Sequence, residues 1–95
     1  MNVTQTATLD DTQEFRLKTR PIVNADFTHG YNALNGHLVV YRHFRDSNHR
    51  YFGKIYSVFA EKYGLAIYVK PEPGQGLSLV KPYHISEVAL FEGWE

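Results

Sequence analysis

The chain has 95 residues, ten basic and ten acidic side chains, no formal net charge and no cysteine. That balance excludes a strongly basic histone-like protein and an acidic mimic of DNA. The missing thiols exclude disulfide scaffolds, Cys-ligated zinc, iron–sulfur clusters and thiol catalysis.

Residues 1–13 are polar, Thr-rich and acidic, and read as a tail ahead of a single domain at 14–95. They lack the basic start and apolar stretch of a secretory signal. The longest apolar run is a few residues, too short to span a bilayer. A cytoplasmic protein that avoids membranes is the expectation. Residues 14–20 alternate, with Phe15 and Leu17 on one side and Arg16, Lys18 and Arg20 on the other. Period two predicts a half-buried strand, and Pro21 marks its end or an edge position. Residues 24–36 carry the Asn, Asp and Gly of a loop with one helical turn.

From Gly36 the pattern strengthens. Residues 37–44 form a β-rich run, and Asp46-Ser47-Asn48 is a turn cluster. Residues 51–60 are aromatic and β-branched, and predict a strand. Gly64 suits a positive φ in the hairpin that follows. Leu65, Ile67 and Val69 alternate with Ala66, Tyr68 and Lys70. Residues 71–76 are a Pro/Gly loop, 77–80 a short strand, 81–84 a turn and 85–91 a last strand. Residues 51–63 also show helical spacing at Ile55, Val58, Phe59 and Tyr63. Interior Gly53 and the β-branched content favour strand. A helix there is the alternative, and would make the class α+β. The expected core is Leu38, Val40, Ile55, Leu65, Ile67, Val69, Leu79, Val88 and Leu90.

Short strands separated by turn signals every 8–14 residues predict a mainly β protein, a small barrel of five or six antiparallel strands. The layout over residues 36–92 resembles the SH3-like barrels. It runs from a basic hairpin through Tyr51-Phe52-Gly53-Lys54-Ile55, a strand ending at Val69 and a Pro/Gly loop, to a last strand at Ile85-Ser86-Glu87-Val88. Among SH3-like enzymes the type II dihydrofolate reductases are nearest in length. Their Val-Gln-Ile-Tyr signature is replaced here by Leu79-Val80-Lys81-Pro82-Tyr83, so that activity does not carry over. A shared barrel says little of function.

Catalytic signals are sparse. No serine lies in a Gly-x-Ser-x-Gly elbow, and no Ser, His and acid set has a recognisable spacing. The carboxylate pairs Asp10-Asp11 and Glu92 with Glu95 look solvated. The Gly74–Gly76 stretch lacks the Lys-Ser/Thr of a phosphate loop. His43 and His49 would face each other across a hairpin, with Asp46 the nearest third ligand for a metal. Partly exposed strand and turn residues are the plainer reading, and neither metal nor cofactor is expected.

The most informative stretch is 41–54. Arg42, Arg45, Arg50 and Lys54 against Asp46 make it locally +3, and Tyr41, Phe44, Tyr51 and Phe52 are interleaved. Tyr41, Arg42, Phe44, Arg45, Arg50, Tyr51 and Lys54 are the candidate binding residues. Tyr and Arg are the usual anchors of protein hot spots. Arg on phosphate and aromatic faces on bases equally suit single-stranded nucleic acid. A second basic row, Arg16, Lys18 and Arg20, is expected to be balanced by Glu87 and Glu92. Fourteen aromatic rings exceed what a small core holds, so Tyr31, Tyr68, Tyr83 and Trp94 should reach the surface and favour self-association into a homodimer. The reading is a non-enzymatic binding module, a regulatory or inhibitory accessory protein of the kind phages and plasmids encode, with a protein partner. A nucleic-acid-binding module using the 41–54 hairpin is the alternative.

Overall fold

The computed structural model describes residues 16–43 and 49–95. The expected tail at 1–13 lies outside them. Six strands form one antiparallel sheet: β1 (Leu17–Pro21), β2 (Leu38–Tyr41), β3 (Tyr51–Glu61), β4 (Gly64–Pro71), β5 (Lys81–His84) and β6 (Val88–Trp94). Their order across the sheet is β1-β6-β2-β3-β4-β5. The sheet curls into a half-barrel, so the protein is mainly β, as the turn spacing predicts. Among the described residues no helix is long and apolar enough to cross a membrane.

Residues 51–61 are strand, not helix, and the helical spacing has a local cause. Ile55 pairs with Val69 and Ser57 with Tyr68, which leaves Tyr56 as an extra residue in β3. A bulge of this kind turns the i, i+2 repeat of a strand into i, i+3. Ile55 and Val58 therefore both reach the main core. A second bulge lies in β6, where Thr19 faces Phe91 and Lys18 faces Gly93, leaving Glu92 extra. It brings Phe91 and Trp94, three apart, into contact at 5.7 Å between ring centres.

The main core fills the inner face with Val39, Tyr41, Ile55, Val58, Ile67, Val69, Val88 and Leu90. Ile22 and Phe27, from the link after β1, close over it. Phe27 ends a 3-10 turn at Asn24–Phe27. Asp26 holds that turn in place: it accepts from Arg20 at 3.1 and 3.2 Å and from the Val23 N–H at 2.9 Å. The Arg20 guanidinium first, and then the Val23 N–H, keep the Asp26 carboxyl below its ordinary pKa. A smaller cluster of Val40 and Phe52, flanked by Leu17, Leu38 and Phe91, covers the outer face.

Three expectations need correction. Val39 and Tyr41, rather than Leu38 and Val40, enter the main core. The run Leu38-Val39-Val40-Tyr41 is apolar throughout, so alternation gives it no phase. Residues 77–80 are not a strand, and Leu79 is 68 % exposed. The strand is Lys81–His84, at the sheet edge, where Pro82 can sit because one side of an edge strand needs no donor. Leu65 only packs half-buried against the core. Gly64 takes φ +125° in the β3–β4 turn, as expected.

Gly53 answers to packing instead of turn geometry. A Cβ there would collide with the Val69 side chain, and would meet the Lys70 carbonyl at 2.9 Å and the Tyr41 ring at 3.0 Å. The Tyr41 ring thus lies against a bare stretch of β3. Gly53→Ala is expected to destabilise the chain by about 1–3 kcal/mol, the usual cost of overpacking. A urea denaturation midpoint unchanged from the parent would contradict this packing.

Candidate functional site

The strand geometry divides the candidate residues between two faces. Phe44 and Arg45 lie outside the described residues, as does Asp46 of the metal reading. Among the described residues no group of three His, Asp or Glu side chains is placed to hold a metal.

The aromatic members turn inward. Tyr41 is 1 % exposed. Its ring packs 4.9 Å from Tyr83 and 6.1 Å from Tyr51, centre to centre. His43 Nδ1 lies 3.1 Å from the Tyr83 hydroxyl. Burial, then the neighbouring Tyr83 and Tyr51, push the Tyr41 phenol well above its ordinary pKa. Burial and then Glu87 raise the Tyr83 phenol too. The Tyr41 hydroxyl is buried without a hydrogen-bond partner among the described residues. Tyr41 thus serves the core, and Tyr51 is half-buried against it.

The cations turn outward. Leu38 pairs with Lys54 and Val40 with Phe52, on the face opposite Val39 and Tyr41. Two residues beyond Val40 and two before Phe52, Arg42 and Arg50 continue that face. Arg42 and Arg50 line an open groove of about 630 Å³ together with Leu17, Thr19, Val40, Ala89 and one carboxylate, Glu87. Lys54 also pairs directly with Lys70 of β4, and both are exposed. Among the described residues, Arg42, Arg50, Lys54 and Lys70 have no carboxylate within ion-pair distance; the two bridges between described side chains both belong to Arg20, with Asp26 and Glu92. The Arg20–Glu92 pairing agrees with the expected balance of that row. Glu87 instead accepts from the His84 N–H.

Aromatic rings flank the lysines on both sides. Phe52 meets Phe91 at 5.4 Å and Trp94 at 6.1 Å, edge to face. Trp94 keeps 44 % of its surface open. On β4, Tyr68 stands two residues from Lys70 and meets exposed Phe59 at 5.4 Å. Tyr31 and Trp94 are exposed as expected, whereas Tyr68 and Tyr83 are half-buried. Buried Gln75, in the loop after β4, ties that loop to the backbone of β3 at Phe52. Its amide accepts from the Phe52 N–H and donates to the Phe52 and Glu72 carbonyls, standing in for a strand where the chain leaves β4.

Sequence reasoning missed Lys70 and Gln75. Outward alternation of Lys70 was legible, but its partner was not. The turn pairs Glu61 with Gly64, a register that would place Lys54 opposite Pro71; the bulge at Tyr56 moves it to Lys70. Comparison with protein families, curated proteins and solved structures gave no match.

Tyr41→Phe removes a buried, unpartnered hydroxyl and is expected to stabilise the chain by about 1 kcal/mol. Because the folded phenols hold their protons above the unfolded tyrosine value, their contribution is complete below about pH 10 and is lost as pH rises further. Tyr41→Phe should therefore also move alkaline unfolding to higher pH, as followed by circular dichroism against pH.

Proposed function

We propose that this chain is a non-enzymatic binding module of SH3-like layout that takes an anionic partner on the outer face of its sheet. The observation that carries the reading is Lys54 set directly opposite Lys70, with Arg42 and Arg50 on the same face and, among the described residues, no carboxylate within ion-pair distance of any of them. Like charges directly opposite on a sheet destabilise it by tenths of a kcal/mol to about 1. A face that keeps such pairs is suited to a ligand that neutralises them. Tyr41 and Tyr51, the aromatic anchors that a protein hot spot at the hairpin would use, are committed to the core side. That loss leaves the cations as the stronger feature of the 41–54 stretch.

Lys70→Gln tests the reading in two directions at once. It should raise stability by up to about 0.5 kcal/mol by relieving the pair with Lys54, and should lower the salt concentration at which the protein leaves a heparin column. A variant that elutes with the parent would sink the proposal.

A protein partner, a second copy included, is a second reading favoured by a different place. Tyr56, Phe59 and Tyr63 are exposed on the β3–β4 hairpin, Tyr63 by 82 %. Light scattering should then find a dimer for the parent and a monomer for Phe59→Ser/Tyr63→Ser. A monomeric parent at high micromolar concentration removes the self-association branch.

A further inference from the structure

The anion-binding face has an order across the strands that its charge alone does not explain. On β6, Phe91 and Trp94 stand at one side. Leu38 and Val40 of β2 form a low apolar floor. Phe52 and Lys54 follow on β3, then Lys70 and Tyr68 on β4, with Phe59 against Tyr68. Four strands at about 4.8 Å per step make a row of about 14 Å from the β6 rings to those of β4. The lysine pair lies between two sets of partly open rings. Along β3, Arg50 stands four residues from Lys54, about 13 Å, so the arginine pair flanks the same row on one side.

We infer that the partner is a single-stranded nucleic acid laid across the strands. Its phosphates sit at Lys54–Lys70 and at Arg42–Arg50, and a base stacks on Trp94 at one end and on Tyr68 or Phe59 at the other. This rests on the reading of the outer face as anion-binding and adds the class of anion. Flat rings beside cations that have no ion-pair partner among the described residues match the two parts of a nucleotide, an anionic phosphate and a π face. An acidic protein segment would satisfy the cations but has no use for ring faces at both ends of the row. A duplex buries its base faces in the stack and would engage only the cations. A footprint of about four nucleotides is at the small end for a single barrel. With no net charge on the chain, long-range attraction is weak, so affinity must come from the face itself.

Trp94 is the chain's single tryptophan, so its fluorescence reads this row without a label. The whole protein is titrated with oligothymidylate, the corresponding duplex, heparin and poly-glutamate. Oligothymidylate is expected to quench Trp94 and to bind at least about tenfold more tightly than the duplex, and heparin to bind without quenching. Four phosphate contacts give a slope of log K against log salt near −3, and Lys54→Gln/Lys70→Gln should about halve it. Trp94→Leu keeps an apolar side chain against Phe52 and Phe91. It should weaken oligothymidylate by about tenfold, the worth of one stacked base, and leave heparin retention unchanged. Equal binding of duplex and single strand, or oligothymidylate binding with Trp94 fluorescence unmoved, overturns the inference while the anion-binding reading stands. Preference for poly-glutamate overturns it in favour of an acidic protein. Retention of none of these anions overturns both.

Discussion

One extra residue in β3 organises this molecule. The bulge at Tyr56 lets Ile55 and Val58 face the same core and shifts the β3–β4 register by one. The inner face then closes as a continuous apolar layer from β6 to β4. On the outer face the same shift sets Lys54 against Lys70 in place of Pro71. Packing and charge arrangement therefore share one cause, and neither changes without the other. The β6 bulge has a smaller effect of the same kind, turning Trp94 onto Phe52 and Phe91.

The two faces of the sheet do different work. Inside, the Tyr41 ring lies over Gly53 and against Tyr83, a close approach that only a missing side chain permits. The arrangement leaves the Tyr41 hydroxyl without a partner among the described residues, a local cost offset by the apolar area the ring buries. Outside, Phe52 is roofed by Phe91 and Trp94 and anchored through its backbone by Gln75. A surface built from strand residues keeps its side chains in a more constant arrangement than a loop would.

Much of the strand plan was legible in the residues. The clean alternation of Ile67 and Val69 with Tyr68 and Lys70 gave β4 both its extent and its phase. Gly64 marked the turn before it, and Arg20 found the acid in Glu92 that the opposing strand promised. Phase was lost where all residues are apolar, at 38–41, because both faces of β2 are covered and period two has nothing to distinguish. Lys81-Pro82-Tyr83-His84 read as a turn because proline normally stops a strand, and only its position at the sheet edge makes it tolerable.

The sequence by itself determined a small, mainly β chain with a basic, aromatic stretch at 41–54, since strand and turn preferences are local and act through neighbouring residues. Tertiary structure alone decided which of those residues are available to a partner. Tyr41 and Lys54 belong to the same stretch, yet one is buried in the core and the other stands beside Lys70 on the surface. The reason is the pairing register. The bulge-free β2–β3 register turns Tyr41 inward beside Tyr51, while the single unpaired residue of β3 sets Lys54 against Lys70, and both pairings join segments distant in sequence.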